Sequence, residues 1–239
     1  MAESVEAVKL SDELGPVDYL MHRGEANPRT RSGIMALELL DTTPDWDRYR
    51  TRLENASRRV LRLRQKVVVP TLPTAAPRWV VDPDFNLDFH VRRVRVSGSG
   101  TLREVFDLAE VILQSPMDIS RPLWTATLVE GLADGKAATL LHVSHAVTDG
   151  VGGVEMFAEI YDLERDPPAK PTPPLPIPQD LTPNDLMRQG INHLPMAIVG
   201  SVLGALSGAV SVAGRAVLEP ASTVSGIVGY ALSGARVVN

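Results

Sequence analysis

One stretch limits the fold more than any other. Residues 137–143 (AATLLHV) are almost wholly apolar, and they run straight into the polar, glycine-rich SHAVTDGVGG. An apolar run of that length, bounded by turn residues, suits a strand covered on both faces. Such a strand belongs in the middle of a sheet, so the chain must supply strands on both sides and helices above and below. Asp134-Gly135, just upstream, is a hairpin signal that joins this strand to residues 124–129.

The other elements follow from periodicity. Residues 34–39, 66–69, 78–81 and 91–96 read as further strands. Trp46, Tyr49, Leu53, Ala56, Val60 and Leu63 recur at steps of three and four, one face of a helix. Asp45 or Thr43 suits its cap and Pro44 its first turn. Val105, Leu108, Ala109, Ile112 and Leu113 mark a second amphipathic helix, ended by Ser115-Pro116. Val154, Phe157, Ala158 and Tyr161 fall in a third. The fold class expected for residues 1–165 is α/β in an α+β sandwich-like arrangement: a mixed sheet covered by helices.

Beyond that domain the composition changes. Residues 166–183 hold 8 of the 19 prolines. This excludes a helix or central strand and makes the segment an extended linker or surface strap. Residues 184–239 are rich in Gly, Ala, Ser and Val and read as apolar helices. Leu194 to Gly214 are 21 residues without a charge, near the length that spans a bilayer. Gly200, Gly204 and Gly208 give a close-packing face. Pro195 and the Gly and Ser content weaken the hydrophobicity, so packing on another protein surface or lying in a membrane surface is the expectation.

Composition excludes several functions. With 29 acidic and 24 basic residues the net charge is −5, against the basic excess of a nucleic-acid binder. The absence of cysteine removes disulfides, thiol nucleophiles and Cys-ligated metal. The opening MAESVEAVKL lacks the basic start and apolar run of a secretory signal.

The polar residues after the central strand are the candidate site, because a strand end fixes side chains that the next loop exposes. His145 can take a proton from a hydroxyl near neutral pH. Asp149 can orient the imidazole, or pair with a cation and hold the loop. Gly150 leaves room for a substrate chain beside the base. His142, His145 and Asp149 fall short of the ligand set a metal needs, so none is expected. Arg58, Arg59, Arg62, Arg64 and Lys66 read as a solvated helix face, with anionic lipid headgroups as the functional alternative. His90, Trp79 and Trp124 read as core residues.

SHAVTDG, Ser144 to Gly150, resembles the HHxxxDG motif of the CoA-dependent acyltransferase superfamily. Within it, the chain resembles the bacterial wax ester synthase/diacylglycerol acyltransferase family. Leu10-Ser11 with Asp18 and Leu20 resemble that family's opening. Arg78-Trp79, Asp82, Phe85 and the run Asn86-Leu87-Asp88-Phe89-His90-Val91-Arg92 resemble its "W..D..FDL..HVR" stretch. Ser115-Pro116-Met117-Asp118, Arg121-Pro122-Leu123-Trp124 and Glu130-Gly131-Leu132 resemble its "pLD...PLW.....GL" stretch. The segments stand in the family's order.

The resemblance implies one chloramphenicol-acetyltransferase-like half. It also implies transfer of a fatty acyl group from acyl-CoA, a co-substrate with no further cofactor, to diacylglycerol or a long-chain alcohol. It makes His145 the general base and Asp149 mainly structural, and it places Gly150 and Ser144 beside the substrate. Ser144 stands where the motif has its first His, the more variable position. Family members are longer, with two similar halves and the active site in a channel between them. The expected partners are therefore acyl-CoA, a lipid alcohol and a complementary C-terminal half or second chain, with no nucleic acid. The expected location is cytoplasmic, at a membrane or lipid-droplet surface. A second expectation, motivated by Ser144 and the half length, is a non-catalytic half that binds lipid or a partner. A third is a condensation-type acyltransferase with a carrier-bound donor.

Overall fold

A computed structural model describes residues 12–148, 150–161, 164 and 171–193. The chain divides into two units, Met1–Leu186 and Met187–Asn239. The uncharged stretch 194–214 and its glycines lie outside the described residues, as does Asp149. Among the described residues no helix is long and apolar enough to cross a membrane.

The elements run α1 (Pro16–Gly24), β1 (Gly33–Leu40), α2 (Trp46–Arg59), β2 (Gln65–Val68), β3 (Arg78–Val81), α3 (Leu87–His90), β4 (Val91–Arg95), α4 (Leu102–Gln114), β5 (Trp124–Glu130), β6 (Ala137–Ser144), α5 (Gly150–Ile160) and α6 (Pro183–His193). The main sheet has the order β1-β6-β5-β4. β6 is antiparallel to both of its neighbours, while β4 and β5 are parallel. β2 and β3 form a separate antiparallel pair. The apolar run is thus an interior strand, and all eight residues of β6 are buried. Asp134 and Gly135, at φ 59° and 70°, make the left-handed turn that returns β5 into β6.

The two faces of β6 feed two cores, as strand alternation requires. Leu141 and Val143 pack with Leu53 and Ala56 of α2, Met156 and Ile160 of α5, and Trp124. Ala138 and Leu140 pack with Val105 and Ala109 of α4. α2 and α5 therefore cover one face of the sheet and α4 the other. Asp45 caps α2 by accepting the Arg48 amide at 2.9 Å, one of the two expected caps. Thr101 and Glu104 cap α4 reciprocally. At the other end of α5, Arg52 donates to the Ile160 and Tyr161 carbonyls at 2.8 and 2.9 Å. These are acceptors that a helix end leaves open.

Two expectations are corrected. The helix read through Leu63 stops at Arg59. Val60 is extended, and Leu61–Arg64 form a 3-10 turn. The break swings Leu63 inward, where its carbonyl accepts the Trp124 indole N–H at 2.7 Å, so tertiary packing overrides the helical period. The basic cluster is not a solvated face either. Arg64 is buried, bonds Ser57 and Glu54, and lies over the Phe85 ring. Arg62 lies over Trp79 at 4.4 Å, and Lys66 pairs with buried Asp82 at 2.7 Å. Arg58 and Arg59 pair with Glu54 and Glu159. They also donate to the carbonyls of Pro173 and Pro171, which holds the described part of the proline-rich segment as a strap along α2. α1 and α3 are elements that the sequence pattern did not mark, and α6 falls where residues 184–239 were read as helical.

His90 is a core residue. It has no exposed surface, its Nδ1 hydrogen-bonds the Trp124 carbonyl at 2.8 Å, and its ring stacks between Phe85 and Trp124. Burial foremost pulls its pKa down from 6.5 to about 4. Below pH 6.5 the unfolded chain takes up a proton that the folded state refuses until about pH 4. Stability from this group is therefore full above 6.5 and is lost as pH falls toward 4, a difference of roughly 3 kcal/mol. Urea unfolding between pH 4 and 7 should show a shallower acid loss in His90→Gln than in the wild type. Equal slopes would refute the assignment.

Candidate active site

The site lies where β6 ends. Ser144 is the last strand residue, and its amide donates to the Leu123 carbonyl at 3.0 Å. The chain then turns. The His145 amide donates to the Ser32 carbonyl at 3.2 Å and the Val147 amide to the Ser144 carbonyl at 3.0 Å. Ala146 and Val147 are buried while His145 is only half-buried. The anchored neighbours leave His145 as the residue that the turn presents outward. Gly150 begins α5, five positions on, so the strand, turn and helix order expected from the sequence is present. Asp149, between them, lies outside the described residues.

Ser144 is placed differently from His145. Expected beside the substrate, it has no accessible surface. It shares the face of β6 opposite to Val143, and its hydroxyl donates to Oε1 of Glu25 at 2.7 Å. Its oxygen also accepts the Ala146 amide at 3.2 Å. Strand alternation buries its side chain while the turn presents the next residue.

His142 lies on the same strand face as Ser144. It is 3% exposed, and it lines a pocket of about 120 Å³ with Phe89, Met117, Trp124 and Thr125. Burial first, and the positive charge of Arg31 second, lower its pKa from 6.5 to about 4. Its imidazole is therefore uncharged at physiological pH. Its ring also explains Gly33 on β1: a Cβ there would come within 2.5 Å of His142 Nε2. Among the described residues no group of three or more His, Cys, Asp or Glu could hold a metal ion.

The residue that the sequence passes over is Glu25, the C-cap of α1. An acid beside Gly24 at a helix end looks like a solvent-facing terminus, yet Glu25 is fully buried. Its only sequence signal is its distance of a few residues from the start of β1, and β1 pairs with the strand that carries the motif.

The profile of the wax ester synthase/diacylglycerol acyltransferase catalytic domain matches residues 7–237. A protein of Mycobacterium tuberculosis strain H37Rv that bears the name diacylglycerol O-acyltransferase is 87% identical over all 239 residues. Those residues span 49% of that relative's length. Among solved structures, the wax ester synthase/diacylglycerol acyltransferase of Marinobacter aquaeolei VT8 is similar at 25% identity with a TM-score of 0.50, over 68% of this chain and 41% of its own. The first condensation domain of the CDA synthetase shares the fold, with a TM-score of 0.51 at 15% identity over 64% of this chain and 38% of its own.

Proposed function

From the premise that the chain belongs to the wax ester synthase/diacylglycerol acyltransferase catalytic-domain family, we propose that it is the N-terminal part of an acyl-CoA-dependent O-acyltransferase. The acceptor is the hydroxyl of diacylglycerol or of a long-chain alcohol. One observation carries the reading: His145 is the half-buried residue of a turn whose neighbours on both sides are buried, at the end of an interior strand.

In the proposed reaction His145 accepts the proton of the acceptor hydroxyl as its oxygen attacks the thioester carbonyl carbon. A C–O bond forms, the C–S bond breaks, and the departing CoA sulfur takes the proton back from the imidazole. The products are the ester and CoA thiol, and His145 ends as it began. No acyl-enzyme is required, consistent with a chain that has neither cysteine nor a GxSxG elbow. Acyl-CoA is a co-substrate and no other cofactor enters the proposal. In the proposed reaction Gly150 has the part of leaving room for the substrate chain, and Asp149 the mainly structural part that the family motif implies. A complementary C-terminal half closes the site and excludes the water that would otherwise hydrolyse the thioester. Because the proposed acceptors are lipids, a membrane or lipid-droplet surface on the cytoplasmic side is the proposed working location.

The test is a thiol-release assay with a long-chain acyl-CoA and either diacylglycerol or hexadecanol, with the ester product identified by mass. The chain is assayed alone and together with the C-terminal half of its 87% identical relative. Acceptor-dependent CoA release with matching ester in the combined sample is the expected result. Vesicle or partner binding with no ester in either sample would favour a non-catalytic binding half. Activity with carrier-bound but not CoA-bound acyl groups would favour a condensation-type donor.

A further inference from the structure

The turn that presents His145 is tied to a residue far away in sequence. Glu25 sits at the end of α1 with no accessible surface. Its Oε1 accepts the Ser144 hydroxyl at 2.7 Å, and the Ser144 oxygen accepts the Ala146 amide at 3.2 Å. The two residues flanking His145 are thus joined to one carboxyl group through one hydroxyl. A hydroxyl that donates and accepts at once strengthens both bonds. The His145 amide is held separately by the Ser32 carbonyl at 3.2 Å.

Glu25 is itself fixed. Its amide donates to the Met21 and His22 carbonyls at 3.2 and 3.3 Å. Its carbonyl accepts Nε of Arg31 at 3.3 Å, and Nη1 of the same arginine donates to the Gln114 carbonyl at 2.5 Å. The backbone of Glu25 is thus held by α1 and, through Arg31, tied to the end of α4. Its second oxygen, Oε2, is buried with no hydrogen-bond partner among the described residues. Burying half of a carboxyl unsatisfied is costly, and a position that only needed filling would be better served by an apolar side chain.

We propose that Glu25 is a positioning residue which, acting through the Ser144 hydroxyl, fixes the turn that aims the His145 imidazole at the acceptor hydroxyl. The proposal rests on the reading of His145 as general base. It gives Ser144, at the position of the family motif's first histidine, a role away from the substrate: the hydroxyl joins Glu25 to the amide that follows the base. Misplacement of a base by about 1 Å can cost on the order of 100-fold in rate, so a device that fixes the turn acts on kcat.

The experiment uses whichever assembly of the chain releases CoA, and compares Glu25→Ala, Ser144→Ala, the double variant, Glu25→Gln and Ser144→Thr. In both alanine variants kcat should fall by about 10- to 100-fold, with KM for acyl-CoA within roughly twofold of the wild type. The double variant should be no worse than either single one, because both break the same connection. Glu25→Gln keeps an accepting oxygen and Ser144→Thr keeps the hydroxyl, so both should recover most of kcat. A merely structural role would lower Tm and the folded fraction, leave kcat per folded molecule unchanged and give additive losses; that pattern overturns the proposal. Where Glu25→Ala does not fold, Ser144→Ala removes a single oxygen and decides alone. If His145→Ala is inactive while Ser144→Ala and Glu25→Ala keep full kcat, this proposal fails and the base assignment stands. If His145→Ala keeps full activity, the base assignment fails and takes this proposal with it.

Discussion

Replacing His145 by alanine should lower CoA release by about 100- to 10,000-fold, the range that a positioned general base contributes. The fold should survive. His145 is half-buried, and the bond that holds it in the turn comes from its backbone amide to the Ser32 carbonyl, which alanine retains. Circular dichroism and the thermal midpoint of His145→Ala should match the wild type. The loss should fall on kcat, because in the proposed reaction the imidazole deprotonates the hydroxyl and takes no part in binding acyl-CoA. A variant that folds normally and keeps its rate would remove His145 from the chemistry.

The largest stability effect should come from Trp124→Ala. Trp124 is 1% exposed at the start of β5 and reaches both core and loop. Its indole N–H donates to the Leu63 carbonyl at 2.7 Å, its carbonyl accepts from His90, and its ring stacks on His90 with centroids 4.8 Å apart. Truncating a buried tryptophan costs about 3–5 kcal/mol in packing, and the stranded Leu63 carbonyl adds about 1–3 kcal/mol. Trp124→Phe keeps most of the ring and loses the donor, so it should fall between the wild type and Trp124→Ala. Urea unfolding followed by far-UV circular dichroism gives the comparison. A loss below about 1 kcal/mol for Trp124→Ala would contradict this role, given the usual cost of emptying such a site.

The strands were legible because their signal is local. A run of apolar residues bounded by Asp134-Gly135 and SHAVTDG has one economical solution, an interior strand, and β6 is that strand. Asp45 as the cap of α2 was legible for the same reason, since a cap bonds within three residues of itself. The end of α2 was not. Its period continued to Leu63, and the turn there answers to the Trp124 indole, 61 residues further on. The basic cluster misled in the same way: charge along a helix reads as solvated until distant partners such as Phe85, Asp82 and Glu159 are brought against it.

The sequence by itself determined the mixed sheet, the interior strand, the family and the placing of His145 at that strand's end. The sheet and the strand end depend on residue order over short spans, where backbone geometry and hydrophobic period leave few choices, whereas the family rests on motif segments that stand in the family's order. Only the tertiary structure decided the environment of the site. It buried Ser144 where a substrate contact was expected. It also set Glu25, 119 residues away, against the Ser144 hydroxyl. Burial and pairing across that distance depend on how elements pack, and no local pattern in the chain encodes which distant carboxyl meets which strand end.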